Sequence, residues 1–281
     1  MRLQTKAKEM HSILLKSYQT PRVPVSYQIW LQLVSKLEED AAMGEIAELV
    51  NRDAGLVIKM LSVANSAFIG AGSGNEVSTV DSALMRLGSN EIVRIVGMLA
   101  FQDTTTEGLP LYCLSQTEHI RHSVATAMLM AHFYKHTDLS ESEAYTLGMI
   151  CGMGRWLLQQ SVRSQNIPLR PYSGPLLESH CWEEDILSIN HAEFASNAMR
   201  AFKLPRTLLD PLTHYVRPLN SPNPASSWML LHCSEQASRE QLPSRASVDL
   251  VETDWFLRYD TRERYAEFRK TSANVLSSLG V

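Results

Sequence analysis

The chain has 281 residues, 44% of them hydrophobic and 20% charged, with a formal net charge of −4. That balance fits a globular protein with enough apolar surface for one large or two modest domains, and it excludes a disordered chain. A mildly acidic chain also has no charge footprint for nonspecific nucleic-acid binding.

The four cysteines, Cys113, Cys151, Cys181 and Cys233, form no CxxC pair, so neither a zinc knuckle nor a dithiol redox motif can be read. Reduced thiols in a cytoplasmic protein are the expectation. The first residues, MRLQTKAKEMHSILLKSYQ, scatter charges among apolar positions, which suits neither a signal peptide nor an anchor. No segment approaches the ~18 apolar residues of a membrane span, so no membrane partner is expected.

Almost every periodic segment has helical spacing. Leu3, Ala7, Met10 and Leu14 mark a short amphipathic helix within residues 1–19. Pro21 and Pro24 break it, and Ser26 is a candidate cap for a helix carrying Tyr27, Trp30, Leu31, Val34 and Leu37 on one face. Ile46, Leu49 and Val50 mark a short helix. Asp53 is placed to cap the next, with Leu56, Val57, Met60, Leu61 and Ala64. GAGSGNE (Gly70 to Glu76) reads as a turn. Ser78 or Thr79 opens a further helix that Gly88 closes, and Ile92, Val93, Ile95, Val96 and Leu99 form a strong apolar stripe.

TTTEGLPLYCLS (Thr104 to Ser115) reads as a connection to a long helix from about Gln116 to Lys135, in which Met128 and Met130 fill core. Ser140 to Glu143 (SESE) is a capping box for another long helix. Residues 164–178 read as a loop. Asn190 to Glu193 (NHAE) again resembles a capping box, and Pro205 opens a short helix through His214. PLNSPNPASS (Pro218 to Ser227) is a linker, followed by a helix near 227–238. A C-terminal helix carries Tyr265, Phe268, Val275, Leu276 and Leu279. No alternating strand or fixed repeat is present, so the expected fold class is all-α.

Two stretches are more specific. One is NRDAGLVIKMLSVANSAFIG (Asn51 to Gly70) followed by VSTVDSALMRLGSNEIVRIV (Val77 to Val96). The other runs from RHSVATAMLMA (Arg121 to Ala131) through GMICGMG (Gly148 to Gly154) to HAEFASNAMRAFKLPRTLLDPLTHY (His191 to Tyr215). Their order and wording, with PRVPVSYQIWLQLV (Pro21 to Val34) ahead of them, resemble the HDOD family, the output-domain relatives of the HD phosphohydrolase superfamily. The resemblance covers residues 20–218, and its most specific part is the triplet Asn65, Ser66 and Ala67. It implies two helical lobes, the first to about residue 112 and an HD-like lobe over about 113–218. A helical extension would follow over 219–281.

A catalytic HD protein has a His-Asp doublet where this chain reads Cys151-Gly152. The resemblance makes those two positions metal ligands, and the metal prepares a hydroxide for attack on phosphorus. Gly152 has no side chain to offer, and a divalent phosphohydrolase site needs a carboxylate and imidazoles. Gly148 and Gly154 match the family, where glycine lets neighbouring helices approach closely. His122 matches the first histidine of the HD pattern, and Glu235 stands near the place of its last aspartate. His191 and His214 match histidines that extend the site in metal-binding relatives.

Each of these residues also has a plainer reading. His122, His191 and His214 are equally suited to hydrogen bonds between helices, and Cys151 to a small core position. Together the four form a candidate zinc site, at spacings too wide to be diagnostic. Asn65 and Ser66 suit either recognition of a partner or the end of their helix and its loop. Arg155 and Trp156 suit either the relic pocket or a surface arginine beside a packed tryptophan.

The resemblance therefore implies a non-catalytic bacterial signal-transduction domain in the cytoplasm, acting through contacts with an unidentified signalling protein. HDOD domains often stand beside receiver or cyclic-dinucleotide modules. This chain has no room for one, so action in trans is expected. With neither GxSxG nor GxxxxGK[ST] present, no cofactor is expected. Two alternatives stay open: a metal-dependent phosphohydrolase with His122, His191 and His214 as ligands, and a binder of a small phosphorylated molecule in the relic pocket of His122, Cys151, Gly152, His191 and His214.

Overall fold

In a computed structural model of the chain, residues 23–69, 77–104, 106–220 and 225–239 are described, together with Ser12, Leu14, Lys270 and Thr271. The expected N-terminal helix, the GAGSGNE turn and the C-terminal helix fall outside them, those four single positions apart. Eleven α-helices and no strand are present among the described residues. An isolated bridge between Leu109 and Leu114 is the nearest approach to sheet. The fold is all-α and divides into two units, Arg22–Thr106 and a second that takes in the chain from Glu107 onward. The division lies at Thr106 rather than near residue 112.

The first unit holds α1 (Val25–Glu38), α2 (Met43–Val50), α3 (Ala54–Ile69), α4 (Val80–Leu87) and α5 (Ser89–Thr104). Pro24, not Ser26, precedes the first turn of α1, and no side chain caps it. Proline already has the backbone torsion a helix entry needs and no N–H to satisfy there. Asp53 accepts from Leu56 N at 3.0 Å at the start of α3, and Thr79 forms a capping box with Ser82 on α4. Gly88, at φ 81°, ends α4 in a conformation costly for any other residue. Asn65, near the end of α3, clasps both backbone groups of Val77: its Nδ2 donates to the carbonyl at 3.0 Å and its Oδ1 accepts from the N–H at 2.8 Å. That pairing closes the connection between α3 and α4.

The second unit holds α6 (Gln116–His132), α7 (Glu141–Ser164), α8 (Ser179–Leu187), α9 (His191–Met199), α10 (Arg206–His214) and α11 (Ser226–Arg239). Capping boxes Ser115–Glu118 and Ser140–Glu143 open α6 and α7, while Asn190 caps α9 through Ala192 N and Glu193 N. The long helix ends at His132, before Lys135, because a 3-10 turn over Tyr134–His136 takes over. α8 is a helix where the sequence showed no periodic stripe. α7 is the axis of this unit: every residue from Ala144 to Gln159 is buried, as α6, α9, α10 and α11 pack around it.

Glycine makes that packing possible. A Cβ on Gly148 would lie 2.5 Å from Ala127 Cα and 2.7 Å from Ala127 N, both backbone atoms of α6. A Cβ on Gly154 would lie 2.9 Å from the His191 carbonyl oxygen at the start of α9. Neither neighbour is a side chain that can swing aside. Gly148→Ala is expected to force α6 and α7 apart and destabilise the unit by about 1–3 kcal/mol, read as a lower denaturation midpoint with an unchanged helical circular-dichroism spectrum.

Candidate functional site

The centre of α7 carries a charged residue in an otherwise apolar and small stretch, and the fold buries it. Arg155 is 3% exposed, which settles its two readings in favour of the interior. Its Nη1 and Nη2 both donate to Glu235 Oε1 on α11, at 3.2 Å each, and its Nε donates to Ser179 Oγ on α8 at 3.3 Å. The same Glu235 oxygen accepts from Arg239 Nε at 3.0 Å and from Arg239 Nη2. Burial pushes the Glu235 carboxyl up, but the Arg239 and Arg155 charges outweigh it and hold the group well below the usual carboxylate range.

His122, on α6, reaches the same residue. Its Nε2 donates to the Glu235 backbone carbonyl at 3.2 Å and lies 3.7 Å from Glu235 Oε1. Burial pushes the imidazole down to about 4 against the pull of the Glu235 charge, so it is neutral at neutral pH. One turn along α6, Thr126 Oγ1 meets Ser238 Oγ at 2.8 Å, and that serine bonds the Glu235 carbonyl.

A second buried carboxylate, Glu183 on α8, serves His191. The backbone N–H of His191 donates to Glu183 Oε2 at 2.6 Å, and its Nδ1 donates to the same oxygen at 2.7 Å. Tyr112 OH donates to Oε1 at 2.8 Å. With Nδ1 protonated, His191 Nε2 accepts from Tyr215 OH at 2.8 Å, and that hydroxyl is also in hydrogen-bond contact with the Cys151 thiol. The result is a continuous relay from Cys151 through Tyr215 and His191 to Glu183. Burial pushes the thiol up to about 12, which leaves it protonated and a poor nucleophile. Burial also pushes Glu183 up to about 7, opposed by Arg155 and by its donors.

The structure thus gathers His122, Cys151, His191 and Glu235 around Arg155, with Gly152 buried on the same turn of α7. His214 is elsewhere: it is exposed at the end of α10 and its ring stacks on Trp228 at 4.1 Å. The candidate four-residue zinc set and the alternative His122–His191–His214 ligand set are therefore not assembled. Asn65 lies in the first unit, and Ser66 and Ala67 follow it on α3, with side chains outside the described residues. Glu183, Tyr215 and Arg239 were not legible as site residues. α8 lacked a readable stripe, and Arg239 sat in a segment taken as an extension, whereas α11 is part of the cluster. Arg155 did leave a signal, as a lone charge inside an apolar helical run.

The donors present do not fit the divalent metal of the HD superfamily. Both His191 nitrogens are engaged, the Glu235 carboxylate is held by two guanidinium groups, and Cys151 is a neutral thiol. Among the described residues, no group of three or more His, Cys, Asp or Glu side chains is arranged to hold a metal ion. The adjoining cleft, lined by Arg155, His180, His191, Tyr215, His232 and Arg239 among others, has room for about one water molecule.

An all-α unit built on a glycine-bearing central helix, with a buried arginine–glutamate–arginine cluster beside it, defines the class. The chain belongs to the HDOD family, whose domain model matches residues 21–218. It is 27% identical over 157 residues to the uncharacterized protein YuxH of Bacillus subtilis (strain 168), a match covering 55% of this chain and 36% of that protein. The match thus spans about a third of that relative's length. Among solved structures, a "putative phosphohydrolase" from Shewanella amazonensis SB2B superposes with a TM-score of 0.61 at 18% identity, over 96% of this chain and 94% of the other. A "putative signal transduction protein" from Marinobacter aquaeolei VT8 gives a TM-score of 0.60 at 17% identity, over 98% of this chain and 65% of the other. At such identities the likeness is one of fold.

Two outcomes follow from the cluster. Glu235→Ala leaves two buried guanidinium groups facing each other, and is expected to lower unfolding stability by about 3–5 kcal/mol in a denaturant titration. The second concerns acid. An unfolded His122 titrates near its ordinary value of about 6.5, the folded one at about 4. Stability from this group is therefore complete above pH 6.5 and is lost as the pH falls through 4. His119, His191 and His232 are displaced in the same sense. Glu183 opposes them, contributing below its unfolded range and losing that contribution as the pH rises through about 7. His122→Asn, which keeps a donor for the Glu235 carbonyl, is expected to remove about 3 kcal/mol of acid-side loss over that window, seen as a shallower dependence of unfolding free energy on pH.

Proposed function

We infer that this chain is a non-catalytic bacterial signalling domain that works in the cytoplasm through contacts with another protein. The observation that carries the reading is the Arg155–Glu235–Arg239 cluster. A fixed guanidinium charge on α7 engages the carboxylate that a metal centre would need, and Cys151-Gly152 replaces the His-Asp doublet. Hydrolysis of a phosphoester requires a nucleophilic water and a cation in contact with phosphoryl oxygens, and this cluster presents neither a ligand set nor room. The fold is shared with proteins named for phosphohydrolase and for signal transduction, and the site chemistry favours the second. Among the described residues no helix is long and apolar enough to cross a membrane, which agrees with a partner met in solution. A small phosphorylated ligand is disfavoured by a cleft that admits about one water.

The test is elemental analysis of dialysed protein together with phosphodiesterase and nucleotidase assays in added manganese, iron or magnesium. The expected outcome is metal well below one equivalent and turnover indistinguishable from the blank. Near-stoichiometric metal with hydrolysis that disappears in His122→Ala and His191→Ala would overturn the reading and restore the phosphohydrolase.

A further inference from the structure

Arg239 carries a donor that nothing uses among the described residues. Its Nε and Nη2 are spent on Glu235, while its Nη1 is buried without a hydrogen-bond partner. The side chain is 5% exposed, so solvent does not supply what is missing. An unmet hydrogen bond is costly for a neutral donor and more so for a charged one, and a bound water or ion is one way a native fold meets that cost.

What completes it is constrained by the cleft that Arg239 lines. Two guanidinium groups, Arg155 and Arg239, border this cleft with His180, His191, His232 and Glu235. The Glu235 oxygen Oε1 is already shared between both arginines. The other buried carboxylate, Glu183, is occupied by Tyr112 and His191 and does not border the cleft. His232 donates from Nδ1 to the Tyr215 carbonyl and accepts at Nε2 from Gln236, so it adds no negative charge. A metal cation is therefore repelled. A water satisfies one hydrogen bond but leaves the second guanidinium charge without a counterion. Desolvation lowers the Arg239 pKa in spite of Glu235, as it does for a cation with incomplete compensation.

We propose that the cleft lined by Arg155 and Arg239 is a binding site for one inorganic anion of chloride size, held in part by the unsatisfied Arg239 Nη1. The room is that of about one water molecule, which a halide matches and a phosphate does not. Occupancy ties the end of α11 to the centre of α7 through the two arginines. It gives the domain an anion-dependent term in the packing of α11, the helix that also fixes His122. The inference rests on the same buried cluster as the signalling reading but uses neither metal content nor turnover, so the two fail separately.

The experiment is a chloride magnetic-resonance linewidth titration on the full chain in gluconate buffer of constant ionic strength, paired with thermal melts. Wild-type protein is expected to broaden the chloride line saturably. Its melting temperature is expected to rise by about 3 °C when chloride reaches about ten times its dissociation constant. Arg239→Lys retains the charge opposite Glu235 but loses Nη1, and is expected to lose at least four-fifths of both effects while keeping its helical spectrum. No saturable broadening by wild-type protein overturns the proposal, whatever the variant does. Equal broadening by a folded Arg239→Lys overturns it too. Saturable stabilisation by orthophosphate with none by chloride overturns it in favour of a phosphoryl site.

Discussion

One carboxylate oxygen organises the second helical unit. Glu235 Oε1 receives two guanidinium groups, Arg155 from the middle of α7 and Arg239 from one turn further along α11. Removing three charges from water is expensive, and mutual attraction compensates only where the geometry is held. The geometry is held here on every side. Ser179 at the start of α8 orients Arg155, and His122 on α6 takes the backbone carbonyl of Glu235 itself. Three helices therefore meet at one residue, and none of them can shift without leaving a buried charge or carbonyl unpaired in an apolar interior.

A bound divalent ion would achieve a similar convergence by drawing imidazoles and carboxylates from several helices. In this chain the positive charge is covalently part of α7. Such a charge cannot dissociate, cannot polarise a water for attack as a metal does, and does not respond to metal supply. The Cys151–Tyr215–His191–Glu183 relay beside it is likewise closed, because each hydrogen bond in it satisfies a buried group. Buried polar networks of this kind specify one packing of the surrounding helices.

Helices whose signals are local were legible before any coordinates. The capping box at Ser140, the caps at Asp53 and Asn190, and Gly88 at the end of α4 act within a few residues of themselves. Gly148 and Gly154 stood out because glycine is a poor helix former, and the backbone contacts they permit explain why it is used. α8 escaped because its nine residues mix Ser179, His180 and Glu183, all buried, with the half-buried Glu184 and the exposed Asp185. A polar residue buried for hydrogen bonding reads in sequence like a solvated one. The same ambiguity surrounded Arg155.

The sequence by itself determined the helical class, most helix boundaries, the family resemblance, and the Cys151-Gly152 pair at the centre of α7, since each depends on residue identity at short range. Tertiary structure alone decided the membership of the site. It brought Glu235 and Arg239 back across about 80 residues to Arg155, turned His214 outward onto Trp228, and left one guanidinium nitrogen of Arg239, a residue that lines a cleft, buried with no hydrogen-bond partner among the described residues. The physical reason is that charge pairing and desolvation act through space. Which carboxylate meets which guanidinium is set by how helices pack, and a linear spacing carries no record of it.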